Sequence, residues 1–138
     1  MLAPPLAWVV AGRGYGMAAV DPVRDLSSLA LWSVAEEVVF RGLLQRALLH
    51  YRSLAPQAPA GTLRTLAGIS MANAIASLLF AAAHLWAHPP LAALGVLPVS
   101  LVLGAAFERS GERLAPPAAL HVYFNFALYG CSFVLARA

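Results

Sequence analysis

Three ionisable side chains stand close together in the stretch AEEVVFRG of residues 35–42. Glu37 and Arg41 are four residues apart, so a helix would place them about 40° apart on one face, with the acid before the base, the more favourable order for an ion pair. Glu36 would lie about 100° from Glu37 and could share that arginine less easily. The spacing therefore predicts one carboxylate that is held by the arginine and a neighbouring carboxylate that is left free to act.

The same helical geometry predicts two faces for this segment. The first face carries the charges together with a serine and a phenylalanine: Ser33, Glu36, Glu37, Phe40 and Arg41. The opposite face is apolar and suits lipid or helix packing. Its residues are Ala35, Val38, Val39, Gly42 and Leu43.

Further polar groups occur later in the chain. His84 ends the stretch FAAAH, in which three alanines leave space before the histidine. His121 and Asn125 are four residues apart, so both side chains would point to one side of a helix. Hydrolysis needs a base that takes a proton from water, a partner that orients the water and donors for the oxyanion. The sequence supplies this inventory, although a packing network or a transport path could use the same groups.

Two other residues with reactive side chains have simpler interpretations. His88 follows His84 by four residues, so the two could share a metal ion. However, His88 directly precedes Pro89 and Pro90, where a helix is expected to end, and we predict an interfacial position for it. Cys131 is the one cysteine of the chain, which excludes an internal disulfide and indicates a packing residue.

The composition indicates an integral membrane protein. The chain has 138 residues, of which 61% are hydrophobic and 11% charged, and its mean hydropathy is +0.75. Soluble domains carry about 25% charged residues, and so short a chain could not hide this much apolar surface from water. The net charge of +3 is spread along the chain without a basic stripe, so nucleic acid is not an expected partner.

Hydropathy and turn residues divide the chain into four predicted transmembrane helices in a single domain, 1–138. The predicted spans are 28–49, 66–87, 91–107 and 116–135, with 51–65 as a loop and 3–20 as a fifth, short N-terminal or interfacial helix. Three charges at the centre of a span would cost about 8–10 kcal/mol on insertion scales. The charged residues must therefore face the bundle interior, which predicts an all-α, polytopic bundle around a polar intramembrane cavity.

These motifs resemble those of the CPBP family of intramembrane proteases, which includes the CAAX prenyl endopeptidase Rce1 and the bacterial Abi proteins. The family pattern is EExxxR, then FxxxH, then HxxxN. This chain has EEVVFR, FAAAH and HVYFN in the same order. The three motifs lie on separate apolar segments within about 29–130. The resemblance implies that Glu36 is the general base and activates a water together with His84. It also implies that His121 and Asn125 form the oxyanion hole.

The resemblance assigns supporting roles to four further residues and bears on the cofactor. Glu37 and Arg41 would hold the site in shape, while Phe40 and Phe80 would line the cavity. The family was formerly classed with the metalloproteases, but its chemistry resembles that of a glutamic peptidase without a required cofactor. A catalytic zinc site requires three strong protein ligands, so a bound zinc ion is the less favoured interpretation of these residues.

The resemblance further implies a multi-pass protein of the bacterial inner membrane. Its substrate would be a membrane protein or peptide, with a C-terminal sorting signal by analogy with very short family members. Relatives usually carry more spans, so this chain would be a minimal member, a homodimer that completes the bundle, or part of a longer protein. The alternative function is a non-catalytic membrane scaffold or immunity-type partner of the same fold.

Overall fold

A computed structural model of the protein describes residues 22–54 and 69–135, which are helical apart from short turns. No β-strand occurs in these two ranges, in agreement with the predicted all-α class. The helices, in chain order, are α1 (Pro22–Glu37), a π-helical segment (Val38–Gln45), α2 (Arg46–Leu54), α3 (Met71–His84), α4 (Pro90–Arg109) and α5 (Ala115–Leu135).

The predicted helices correspond to the observed ones, but four of their ends differ clearly. Helix α1 begins at Pro22 rather than at 28, and α3 begins at Met71 rather than at 66. The prediction of a loop from residue 51 is wrong for 51–54, which belong to α2. The predicted end of the second helix at residue 87 is also wrong, because α3 ends at His84 and 85–88 form a turn that leads into the two prolines before α4. The segment 3–20 and most of the predicted loop lie outside the described residues.

The π segment keeps a row of polar side chains on one face. Ser33, Glu37, Arg41 and Gln45 recur at every fourth residue, and all four are buried. In a regular α-helix such a row would drift by about 40° at each step. Hydrogen bonds from i to i+5 put more residues into each turn and reduce that drift. The helical angles predicted from the sequence are therefore wrong for Val38–Gln45, although the polar row is retained.

Helices α3 and α4 pack against each other in opposite directions. Ser70 caps the start of α3 by accepting a hydrogen bond from the Asn73 amide, and its hydroxyl donates to Glu108 near the end of α4. Further along the pair, Phe80 and Val96 belong to the hydrophobic core. α1 packs against α5, and the π segment packs against α3. This arrangement brings the three sequence motifs into one interior.

The outer surface of the described helices is strongly apolar. Large hydrophobic side chains are exposed on α1, the π segment, α3, α4 and α5, for example Leu31, Leu43, Leu78, Leu91, Val102 and Tyr123. Among the described residues, Pro90–Arg109 is the one helix long and apolar enough to cross a membrane, with a mean hydropathy of 2.0. Met71–His84 is a shorter apolar helix. The predicted apolar face is confirmed for Val38, Val39 and Leu43, all of which are exposed.

Candidate active site

Glu37 and Arg41 form a buried ion pair, as their spacing predicts. Glu37 Oε2 lies 3.3 Å from Arg41 Nε, and neither side chain is more than 1% exposed. Arg41 Nη2 also donates hydrogen bonds of 2.8 Å to the hydroxyl and to the backbone carbonyl of Ser100 in α4. A buried charge is tolerated when it is paired and hydrogen-bonded. The contacts with Glu37 and Ser100 therefore allow an arginine in the interior of the bundle.

His121 lies between the two adjacent glutamates. Its Nδ1 donates a 2.9 Å hydrogen bond to Glu37 Oε1, and its Nε2 lies 3.6 Å from Glu36 Oε2. The Glu37 side chain is fully buried, whereas the Glu36 side chain is 35% exposed. Glu36 is therefore the carboxylate of the pair that solvent can reach. Arg41 pairs with Glu37, as the spacing predicts, and Glu36 instead faces the His121 ring.

The ring of Phe80 brings residues of all three motifs together. Its centroid is 4.9 Å from that of Phe40, in an edge-to-face arrangement, and 4.5 Å from that of His84. The His121 ring is 5.9 Å away, and the guanidinium carbon of Arg41 lies 5.1 Å from the ring centre. Cations over an aromatic face are attracted by the negative charge of the π system. Phe80 therefore forms an apolar wall between the charged group and His84.

The hydrogen bond of His84 defines which of its ring nitrogens is available. Nδ1 lies 2.8 Å from the backbone oxygen of Phe80. A carbonyl oxygen can only accept, so Nδ1 carries the hydrogen and Nε2 of the neutral ring is left as an acceptor. No hydrogen bond or ion pair joins His84 to Glu36 among the described residues. Their predicted cooperation would have to act through a shared water molecule.

His88 lies in the turn that follows α3, and its position at the membrane interface stays a prediction. Its side chain is only 7% exposed, and its ring stacks on that of His84 with centroids 5.7 Å apart. Burial, together with the neighbouring His84, lowers the pKa of His88 below its usual value, so the ring is neutral at neutral pH. The turn that ends α3 folds the side chain back onto the helix. In the described part of the chain, no group of three or more His, Cys, Asp or Glu side chains could hold a metal ion.

Asn125 reaches α1 beside the histidine, as the four-residue spacing of His121 and Asn125 predicts. Its side-chain nitrogen donates a 2.8 Å hydrogen bond to Ser33 Oγ. His121 and Asn125 therefore face the same helix but contact different residues there.

The sequence predicted no role for three residues that contact the site or belong to the polar row of α1 and the π segment. They are Ser33, Gln45 and Ser100. Gln45 donates hydrogen bonds to the Gly104 carbonyl at 3.1 Å and to Glu108 Oε1 at 2.8 Å. The regular four-residue spacing from Ser33 onwards could have indicated Gln45. Nothing in the sequence indicates Ser100, because a lone serine in an apolar segment belongs to no recognisable pattern.

The comparison with known families agrees with this geometry. The profile of the type II CAAX prenyl endopeptidase Rce1-like family matches residues 26–127, which is most of the chain. The chain belongs to the Rce1-like family. Rce1-like proteins are membrane-embedded peptidases, so the family accounts for the apolar surface and for charged residues inside a helical bundle. All of the candidate residues lie inside the matched range: Glu36, Glu37, Phe40, Arg41, Phe80, His84, His121 and Asn125.

Comparisons with curated proteins and with solved structures gave no match. The Rce1-like family profile is thus the finding that identifies the protein class.

Proposed function

We propose that this chain is an intramembrane endopeptidase that hydrolyses a peptide bond of a membrane protein or membrane-bound peptide. The observation that carries the proposal is the difference between its two adjacent glutamates. Glu37 is fully buried, paired with Arg41 and hydrogen-bonded to His121. Glu36 is partly exposed beside the same histidine. A general base must reach water and substrate, so Glu36 suits that role and Glu37 suits a structural one.

In the proposed reaction, Glu36 takes a proton from a water molecule as the water oxygen attacks the carbonyl carbon of the scissile bond. His84 accepts a hydrogen bond from the same water through Nε2, the nitrogen that its contact with Phe80 leaves unprotonated. The carbon–nitrogen bond then breaks, and the leaving amine takes the proton from Glu36. One water is consumed, and a new carboxylate and a new amine are released.

His121 and Asn125 stabilise the oxyanion of the tetrahedral intermediate. Nδ1 of His121 already donates to Glu37, so Nε2 can donate to the oxyanion only when the ring is protonated. Protonated His121 and Arg41 together would balance the charges of Glu36 and Glu37. A buried group of charges is far less costly when its net charge is zero.

The mechanism is that of a glutamic peptidase with no required metal. Arg41 supplies positive charge within the site, His121 would add to it when protonated, and Phe40 and Phe80 lie beside them. Apolar walls strengthen electrostatic interactions because they exclude water. The site residues themselves therefore carry the chemistry that zinc would supply in a metallopeptidase.

We further propose a single membrane domain, 1–138, with four spans around a polar cavity in the bacterial inner membrane. The exposed apolar side chains around the described helices support contact with lipid on the outer surface. A second copy of the chain could complete the bundle that relatives build from more helices. The substrate is a membrane protein or peptide, and a C-terminal sorting signal is one feature that it could carry.

The test compares cells that produce Glu36→Gln with cells that produce the unchanged chain. Glutamine keeps the shape of the side chain but cannot take the proton, so a membrane protein should accumulate uncleaved while the variant stays folded in the membrane. Mass spectrometry of protein termini identifies that protein. Glu112→Gln is the matched control, because Glu112 lies in the turn after α4 and contacts Arg46 rather than the site. Unchanged processing in the Glu36→Gln cells would contradict the proposal.

A further inference from the structure

Ser33 is a buried residue of α1 that contacts one of the two proposed oxyanion donors. Its side chain is 1% exposed and lies one helical turn before Glu37. The Ser33 hydroxyl donates a 2.7 Å hydrogen bond to the Leu29 carbonyl. The same oxygen accepts a 2.8 Å hydrogen bond from Asn125 Nδ2. Ser33 therefore links the first helix of the site to α5.

These two hydrogen bonds determine the orientation of the Asn125 amide. A hydroxyl group has one hydrogen, and that of Ser33 is committed to Leu29 because a carbonyl oxygen can only accept. Ser33 can therefore only accept from Asn125, so the amide must present its nitrogen to the hydroxyl. The second hydrogen on Asn125 Nδ2 has no acceptor among the described residues. It is left free to donate to a bound substrate.

We propose that Ser33 is a positioning residue of the peptidase, which fixes the amide of Asn125 so that an N–H group, and not the carbonyl oxygen, serves the oxyanion. The inference rests on the proposed function of Asn125. Without the Ser33 hydroxyl, the amide can turn by 180° and present Oδ1, whose partial negative charge repels an oxyanion. The ground-state substrate carries no such charge, so the effect falls on kcat more than on KM.

Threonine and valine at position 33 separate the hydroxyl from the size of the side chain. They have nearly the same shape, and only threonine can accept from Asn125. Ser33→Thr should keep kcat within about threefold of wild type, whereas Ser33→Val and Ser33→Ala should lose about tenfold, less than the roughly hundredfold loss when an oxyanion donor is removed. Ser77→Ala is a matched control, because Ser77 is a buried serine of α3 whose hydroxyl donates to Asn73 of the same helix, away from Asn125. Its kcat should be unchanged.

The decisive readout is a double-mutant cycle, measured with a quenched fluorogenic peptide that wild type cleaves in liposomes. If Ser33 acts through Asn125, the double variant Ser33→Ala, Asn125→Ala has the same kcat as Asn125→Ala alone. The inference would be overturned if the kcat losses of the two single variants multiplied in the double variant. A wild-type kcat for Ser33→Ala, or equal kcat losses for the threonine and valine variants, would also overturn it. The Glu36→Gln variant tests the peptidase function without involving Ser33, so failure of the proposed function is recognised separately.

Discussion

Replacing Glu37 with glutamine should destabilise the fold, whereas the same change at Glu36 should not. Glutamine at position 37 removes the charge that pairs with Arg41, a side chain that is at most 1% exposed. Removing one partner of a buried ion pair costs about 3–5 kcal/mol, because the other charge remains buried without compensation. Glu36 is 35% exposed, and the nearest ionisable side chain to it, His121, is 3.6 Å away. Partly exposed contacts of this kind contribute about 0–1 kcal/mol.

The assay is the free energy of unfolding of the purified variants in mixed micelles of a mild detergent and dodecyl sulfate, followed by tryptophan fluorescence and circular dichroism. Glu112→Gln serves as the control for the loss of a carboxylate at a partly exposed position. The double variant Glu37→Gln, Arg41→Met should recover part of the loss, because it removes the unpaired charge. Equal stabilities for Glu36→Gln and Glu37→Gln would refute the division of roles between the two glutamates.

Three further predictions concern helix packing, the buried arginine and metal dependence. A Cβ at position 104 would lie 2.0 Å from Asn73 Oδ1, so Gly104→Ala should lower the free energy of unfolding by about 2–4 kcal/mol as buried hydrogen bonds of Asn73 are lost. Gly42→Ala is the control and should lower the free energy of unfolding by less than about 1 kcal/mol, because its Cβ would meet a flexible Leu114 methyl at 3.3 Å. Equal losses of stability for the two variants would contradict the close packing of Gly104 against Asn73. Arg41→Lys should cost about 1–3 kcal/mol in the same assay, since a lysine cannot reproduce the fork of hydrogen bonds, and wild-type stability would disprove the need for that fork. Treatment with 1,10-phenanthroline should leave peptide cleavage unchanged, and a loss that added zinc restores would show that the mechanism needs a metal.

Much of the fold could be predicted from the sequence because apolar composition and proline positions are local signals. The four predicted helices correspond to the observed ones, and the Glu37–Arg41 pair follows from residue spacing alone. These features depend on residues that are near one another in the chain. Periodicity and turn chemistry are sufficient to find them.

Other features depend on contacts between distant segments, and the sequence did not indicate them. Ser100 meets Arg41 across 59 residues, and His121 meets Glu37 across 84 residues. The packing of one helix on another decides which serine faces an arginine and which histidine faces a carboxylate. The two-glutamate motif predicts different roles for its members, but only the three-dimensional arrangement shows that His121 lies between Glu36 and Glu37.

The π segment was also not predictable from periodicity. A hydrophobic pattern is usually compared with 3.6 residues per turn, and an eight-residue interval with a wider turn is too short to change that comparison. Polar residues recur at every fourth position from Ser33 to Gln45, but this pattern can be interpreted only once the wider helical turn is known. The turn at 85–88, which buries His88 against His84, likewise results from how the chain passes from α3 into α4.

The most direct test of the peptidase proposal is the rate at which purified protein in liposomes cleaves a quenched fluorogenic peptide that carries a hydrophobic membrane anchor. Loss of a general base reduces such rates by about 10²–10⁴-fold. We expect wild type to cleave and Glu36→Gln to be slower by at least about a hundredfold. The free energy of unfolding of the variant should fall by no more than about 1 kcal/mol. A folded Glu36→Gln variant that cleaves at the wild-type rate, or a wild-type protein that cleaves no membrane-anchored peptide, would contradict the account.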